Sequence, residues 1–269
     1  MALLSFKYDQ FSQNGEDGIL ARIFDLISSE SKTCCEFGAW DGVHFSNTRR
    51  LLLAGWSGLL VESDLQRFRQ LENTYAGNEN VKCSLQMIQS ADDLELALSQ
   101  NGFPASLDLL VVDIDGLDYY IFKELRVRPR VICIEVNAGH SPESRALLEH
   151  DVAARSIGQP LSAFCDVGRE LGYRMICFNA NAFFLRNDIT NPLLPEIDPI
   201  EAYAEYLEAL DKKGRRWMYL VNRGLVPPFF KFANEHLSAD RLGLGTVERA
   251  TAIARGFLTL PRGLLSLRS

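Results

Sequence analysis

The chain has 269 residues, 47% of them hydrophobic, and a formal net charge of −7. That is enough apolar material for one large α/β core with a smaller appendage, and no run of about 18 apolar residues marks a membrane-spanning helix. The opening MALLSFKYDQFSQ carries charged and polar residues where a secretory signal needs a continuous apolar stretch, so a cytoplasmic location is expected.

Strand-like and helix-like segments alternate as far as residue 186. The polar SQNGEDG leads into the helical pattern ILARIFDLI. TCCEFGA reads as a strand over residues 34–39, and SNTRRLLLAG as a helix capped by Ser46 or Asn47 and stopped by Gly55. SGLLVE is the second strand, and DLQRFRQLENTYAG, capped by Asp64, the second crossover helix. NVKCSLQ and ADDLELALSQNG continue the alternation. LDLLVVD, the most apolar run to that point, fits a central strand covered on both faces. DYYIFKEL follows as a helix with Asp118 as its cap, then the strand RVICIEV and the helix PLSAFCDVGRELG. YRMICFNA and AFFLR are split by so few residues that they must form an antiparallel hairpin.

Repeated strand–helix units predict a parallel sheet with helices on both faces. Closing it with a reversed hairpin gives the expected fold class, an α/β, Rossmann-like, seven-stranded and mostly parallel sheet with an antiparallel last strand. That arrangement resembles class I methyltransferases. Residues 1–194 are assigned to this domain. Residues 195–269 are assigned to a helical C-terminal extension, opened by Asp198 and Pro199 and serving as a lid, a dimer surface or a partner surface.

Six cysteines sit inside apolar segments without CxxC pairing, which predicts reduced core thiols and no zinc site. Charge is uneven: residues 211–269 carry +7 and the remainder −14. A basic tail on an acidic body predicts a solvated helical face or contact with an anionic surface.

A ligand site is expected where TCCEFGA runs into EFGAWDG. Glu36, Gly38, Asp41 and Gly42 form a Glu-x-Gly-x-x-x-Gly turn, in which glycines accept φ > 0 and leave room beneath a ligand. The spacing resembles the first motif of S-adenosylmethionine (SAM) methyltransferases, which implies that Glu36 lies near the amino group of SAM. Glu62, at the end of the second strand, can accept both hydroxyls of a ribose.

SQNGEDGILARIF, GWSGLLVE, DIDGLDYYIFKEL, RPRVICIEVNA and NAFFLRND, in that order over residues 10–190, resemble the FkbM-type family of SAM-dependent methyltransferases. The resemblance implies an O-methyltransferase acting on sugars, glycans or other natural products, with the SQNGED segment packed over the cofactor. Gln13, Asn14 or Glu16 then come close to the carboxylate end of SAM.

Asp113 and Asp115 close the fourth strand, and Glu135 and Asn137 the fifth. Together they are an all-oxygen donor set suited to Mg²⁺. Equally, Asp113 and Asp115 could bond SAM or acceptor directly, with no ion. His140, on the loop after the fifth strand, is the candidate general base, with His44 less well placed.

VVDIDG also resembles the haloacid dehalogenase motif, but Leu117 stands where that motif has threonine. Two rival functions stay open: a nucleotide-sugar glycosyltransferase, which uses a similar Asp-x-Asp to hold its metal, and a non-catalytic SAM-binding module. The expected partner is a sugar- or glycan-type small molecule and not nucleic acid. Self-association and peripheral contact through the basic C-terminal region stay open too.

Overall fold

The computed structural model describes residues 2–114, 116–147 and 158–210. After a 3-10 turn, Leu3–Phe6, come α1 (Glu16–Ile27), β1 (Thr33–Phe37), α2 (Arg49–Leu53), β2 (Ser57–Glu62), α3 (Leu65–Thr74), β3 (Val81–Leu85), α4 (Ala91–Gln100) and β4 (Leu109–Val112). They are followed by α5 (Asp118–Lys123), β5 (Val131–Glu135), α6 (Leu161–Glu170), β6 (Tyr173–Asn179), β7 (Asn181–Arg186) and α7 (Pro199–Ala209).

The seven strands form one sheet in the order β3-β2-β1-β4-β5-β7-β6. β1 to β5 pair in parallel, and β7 alone runs antiparallel, to β5 on one side and β6 on the other. This is the expected fold class. β4 takes the middle position, and its four residues are all buried.

Strand alternation divides the core into two layers. Cys34, Leu60 and Val111 pack with Ile19 and Ile23 of α1, Leu52 of α2 and Leu71 of α3. On the other face Phe122 of α5 meets Phe164 of α6 at 6.3 Å and Phe184 of β7 at 5.0 Å between ring centroids.

Two helix starts differ from expectation. α2 begins only at Arg49, because Ser46, Asn47 and Thr48 all bond to Glu36 on β1 and hold the chain against the strand. Asp118 does not cap α5. Its carboxylate accepts the N–H groups of Ile114 and Gly116, closing the loop before the helix. Asp64 does cap α3, accepting the Arg67 N–H at 2.9 Å.

The domain boundary expected at residue 194 falls inside a compact unit that runs Met1–Asp211. α7 belongs to it: Asp198 caps the helix, and the rings of Tyr203 and Tyr206 pack on Phe178 of β6. Buried aromatics on one helix face need that sheet edge for cover. The basic segment, residues 211–269, lies outside the described residues.

At the amino end of the sheet, Asp108 accepts the backbone N–H groups of Glu30, Ser31 and Lys32, and its carboxylate meets Arg130 at 2.9 Å. Arg130, 5% exposed, also donates to the Ile27 and Ser28 carbonyls. Burial pushes the Asp108 carboxyl up, but the Glu30 N–H, the Arg130 guanidinium and Ser31 outweigh it and hold the group below the usual carboxylate range.

Five of the six cysteines are buried and Cys83 is half-buried; all are free thiols, as expected. Among the described residues no helix is long and apolar enough to cross a membrane.

Candidate functional site

The strand order reverses between β1 and β4: successive strands are added on one side as far as β3, then on the other. Ligands of open α/β sheets bind at the carboxyl ends of the strands beside such a reversal. Gly38 ends β1 there, and Asp113, whose N–H donates to the Phe37 carbonyl, ends β4.

Gly38 has φ +81°, and its N–H and that of Ala39 both donate to the Val61 carbonyl. A Cβ at Gly38 would lie 1.9 Å from the Asp113 carbonyl oxygen. Glycine is therefore required by the approach of two strand ends as well as by the turn. Gly42, φ +72°, is also enclosed by protein: a Cβ there would meet Tyr75 at 2.5 Å and Leu71 at 2.6 Å. Of the two, only Gly38 is exposed.

Glu36 is 3% exposed and turned into the protein. It accepts the Asn47 N–H at 2.7 Å and the hydroxyls of Ser46 and Thr48 at 2.8 and 2.5 Å. Burial pushes its carboxyl up, only partly offset by these donors. The Glu36 carboxylate, expected near the amino group of SAM, fastens the 46–48 loop to β1 in this structure.

Asp41 also shapes this loop. One oxygen accepts the N–H groups of Val43 and His44, the other meets the His44 ring at 2.6 Å. Burial raises its carboxyl, but the His44 contacts outweigh that and leave it lowered.

Glu62, 7% exposed, ends β2. Its Oε2 accepts the Trp40 N–H at 2.9 Å, and its Oε1 the N–H groups of Ser63 and Asp64. A carboxylate oxygen has two lone pairs, so Oε2 keeps one acceptor position beyond these bonds. The Arg67 guanidinium lies 3.5 Å over the Trp40 ring, pinning the turn to α3.

The segment before α1 forms a strap at this end of the sheet, between the β6–β7 turn, whose Asn179 and Asn181 bond Asn14 and Glu16, and the Arg49 guanidinium of α2, 5.0 Å over the Phe11 ring. Asp17 Oδ2 accepts the N–H groups of Gln10, Phe11 and Ser12, and Glu16 accepts that of Asn14. Gln13 is half-buried in the same strap and Asn14 is exposed. Glu16 is wholly buried, which pushes its carboxyl up despite the Asn14 donor. Burial, then the fields of Glu16, Asp113 and Glu36, push the Cys133 thiol of β5 well above its usual range.

Beyond β5 the Asn137 side chain accepts the Gly139 N–H at 2.8 Å, and the His140 N–H donates to the Asn137 carbonyl. His140 is half-buried with its Nε2 shielded from solvent. Tyr203 of α7 donates to the Ala138 carbonyl at 2.7 Å, bracing that loop. Asp113, Glu135 and Asn137 stand at neighbouring strand ends, while Asp115 lies outside the described residues. Among the described residues no three His, Cys, Asp or Glu side chains converge as a metal cluster.

Sequence reasoning missed the Ser46 and Thr48 partners of Glu36, and the asparagines of the β6–β7 turn that meet the strap. The second had a legible signal, two asparagines flanking one residue between apolar strands.

No protein-family profile matches the chain. No curated protein matches it either. Among solved structures, 124 chains match. The N-terminal domain of EvdMO1 with SAH bound is 14% identical, over 65% of this chain and 80% of that one, with a TM-score of 0.41. Monomeric WbdD is 12% identical over 67% of this chain and 42% of its own, TM-score 0.44. An O-methyltransferase family protein from Burkholderia thailandensis is 10% identical over 64% and 57%, TM-score 0.38.

Proposed function

We propose that the chain is a SAM-dependent O-methyltransferase of the FkbM type, acting on a hydroxyl of a sugar, glycan or related natural-product intermediate. One observation carries the reading: the sheet order β3-β2-β1-β4-β5-β7-β6 with its single reversed strand, and Gly38, Glu62 and Asp113 at the carboxyl ends on either side of the β1/β4 reversal. The sugar or glycan class rests on the family resemblance of the sequence motifs.

The residues fit the cofactor. Gly38 offers exposed, side-chain-free backbone, and Glu62 Oε2 has an acceptor position for a ribose hydroxyl. When bound, SAM supplies a methyl group on a sulfonium sulfur. Gln13 and Asn14 cover its amino-acid end from the strap. Asp113 and Glu135 orient the acceptor hydroxyl for in-line approach, and His140 Nε2 takes its proton once the acceptor reaches the ring. The oxygens of Asp113, Asp115, Glu135 and Asn137 suit Mg²⁺ by chemistry, but no step is assigned to an ion.

Calorimetric titration of SAM into the full chain, with and without Mg²⁺ and after EDTA, tests the reading. Micromolar binding is expected, with Glu62→Ala weakening it about a hundredfold as a charged acceptor is lost. A second, metal-dependent heat would bring the ion into the mechanism. Absence of SAM binding alongside stabilisation by a nucleotide sugar would overturn the reading in favour of a glycosyltransferase.

A further inference from the structure

The strap over residues 9–17 is shaped from within but anchored from outside. Its internal bonds, from Asp17 to three backbone N–H groups and from Glu16 to Asn14, fix the path of the chain without fixing it to the sheet. Arg49 of α2 lies 5.0 Å over the Phe11 ring, and Asn179 and Asn181 supply the hydrogen-bonded attachment to the sheet. The Asn179 amide donates to the Asn14 carbonyl, and the Asn181 amide donates to Glu16 Oε1 at 3.0 Å.

These asparagines are directly opposite each other at the tip of the β6–β7 hairpin, so their side chains share one face of the sheet. Ala180 between them takes φ +64°, which makes the turn a single residue. Both asparagines are buried, at 2% and 6% exposure. The same tip is tied to the acceptor side: the Ala180 carbonyl accepts the Val136 N–H, and Asn181 is the cross-strand partner of Glu135. One turn therefore joins the strap to the end of β5.

We propose that Asn179 and Asn181 are positioning residues that hold the strap over the β1/β4 crevice, so that the hairpin tip sets cofactor affinity and the spacing between cofactor and acceptor loop. The proposal rests on the SAM reading above. Without the Asn181 amide, Glu16 is a buried carboxylate short of a donor, and the strap gains its freedom by moving that charge toward water.

The test uses the full chain and S-adenosylhomocysteine (SAH) as probe, comparing wild type, Asn181→Ala, the double variant Asn179→Ala/Asn181→Ala, and Tyr173→Phe. The last removes one buried bond, to the Pro129 carbonyl, from the far end of the same hairpin and so controls for loss of stability. Asn181→Ala is expected to weaken SAH binding about tenfold and the double variant about a hundredfold. Backbone amides 10–17 should exchange faster in both, while Tyr173→Phe binds SAH as wild type does. Equal SAH affinity in wild type and Asn181→Ala would overturn the positioning role, as would an equal loss in Tyr173→Phe. Wild type that binds no SAH would instead overturn the methyltransferase reading, and this proposal with it.

Discussion

The two ends of the sheet treat buried carboxylates in opposite ways. At the amino end Asp108 meets the guanidinium of Arg130 and is held in its charged form. At the carboxyl end Glu16, Glu36 and Glu62 are also buried, yet among the described residues none of them pairs with a lysine or arginine. Backbone N–H groups, hydroxyls and one asparagine amide hold them instead. An end built from matched charges is finished as it stands. An end built from carboxylates on neutral donors holds acceptors with no matching cation and suits hydroxyl- or cation-bearing ligands.

The largest expected effect probes the finished end. Asp108→Ala leaves the buried Arg130 with only the exposed Glu30 as counter-charge, and the Glu30, Ser31 and Lys32 N–H groups without their acceptor. It should lower unfolding free energy by about 3–5 kcal/mol, measured by urea denaturation. A loss below about 1 kcal/mol, the range of surface pairs, would break the contrast.

Next comes Gly38→Ala. A left-handed turn costs an alanine about 1–2 kcal/mol, and its Cβ has to push the β4 end away from 1.9 Å. SAM binding should fall below detection while the folded state survives, because the disturbance sits at the rim of the sheet. Unchanged SAM affinity would separate the β1/β4 crevice from the ligand site.

Acid titration sharpens the comparison. Asp108 has a lowered folded-state value, so its stabilisation is complete above about pH 3.9 and disappears as pH falls through the lowered value. The Asp108→Ala deficit should therefore shrink in strong acid. Glu36 is raised, so the folded state binds its proton more tightly than the unfolded chain does. Its penalty is full above that raised value and is relieved as pH falls through it toward about 4.3. Urea midpoints across this range should show that relief in wild type and less of it in Glu36→Gln, where Glu16 alone of the two raised glutamates remains.

The smallest effect belongs to that same variant at neutral pH. A glutamine keeps one acceptor oxygen and removes the penalised charge, so the change should stay below about 1 kcal/mol. Glu36→Ala, which orphans Asn47, Ser46 and Thr48 together, should cost about 2–3 kcal/mol. Equal losses in both variants would mean that the charge of Glu36, and not its hydrogen bonding, holds the loop.

The fold was legible because its signals are periodic. Alternating elements, the all-apolar LLVV of β4 and the narrow gap between YRMICFN and NAFFLR each describe burial that recurs along the chain. The placement of the candidate residues at strand ends was legible, and the bonds they make were not. Glu36 ends an apolar strand whether it binds a ligand or a loop, and only the folded positions of Ser46 and Thr48, ten and twelve residues on, distinguish the two. The packing of α7 on β6 was not legible because Tyr203 and Tyr206 read as an ordinary helix stripe, with nothing local to say that Phe178 receives them.

The insertion of β7 between β5 and β6 also dictates a timetable. Until residue 186 has been synthesised, the outer backbone groups of β5 have no strand to bond, and β6 has no place in the sheet. A nascent chain that has reached β5 therefore exposes an apolar edge, Val-Ile-Cys-Ile, of the kind that pairs with other chains. The two strands that remove that hazard enter together as one tight hairpin, so the interval of exposure ends in a single local event and not in a search for a distant partner.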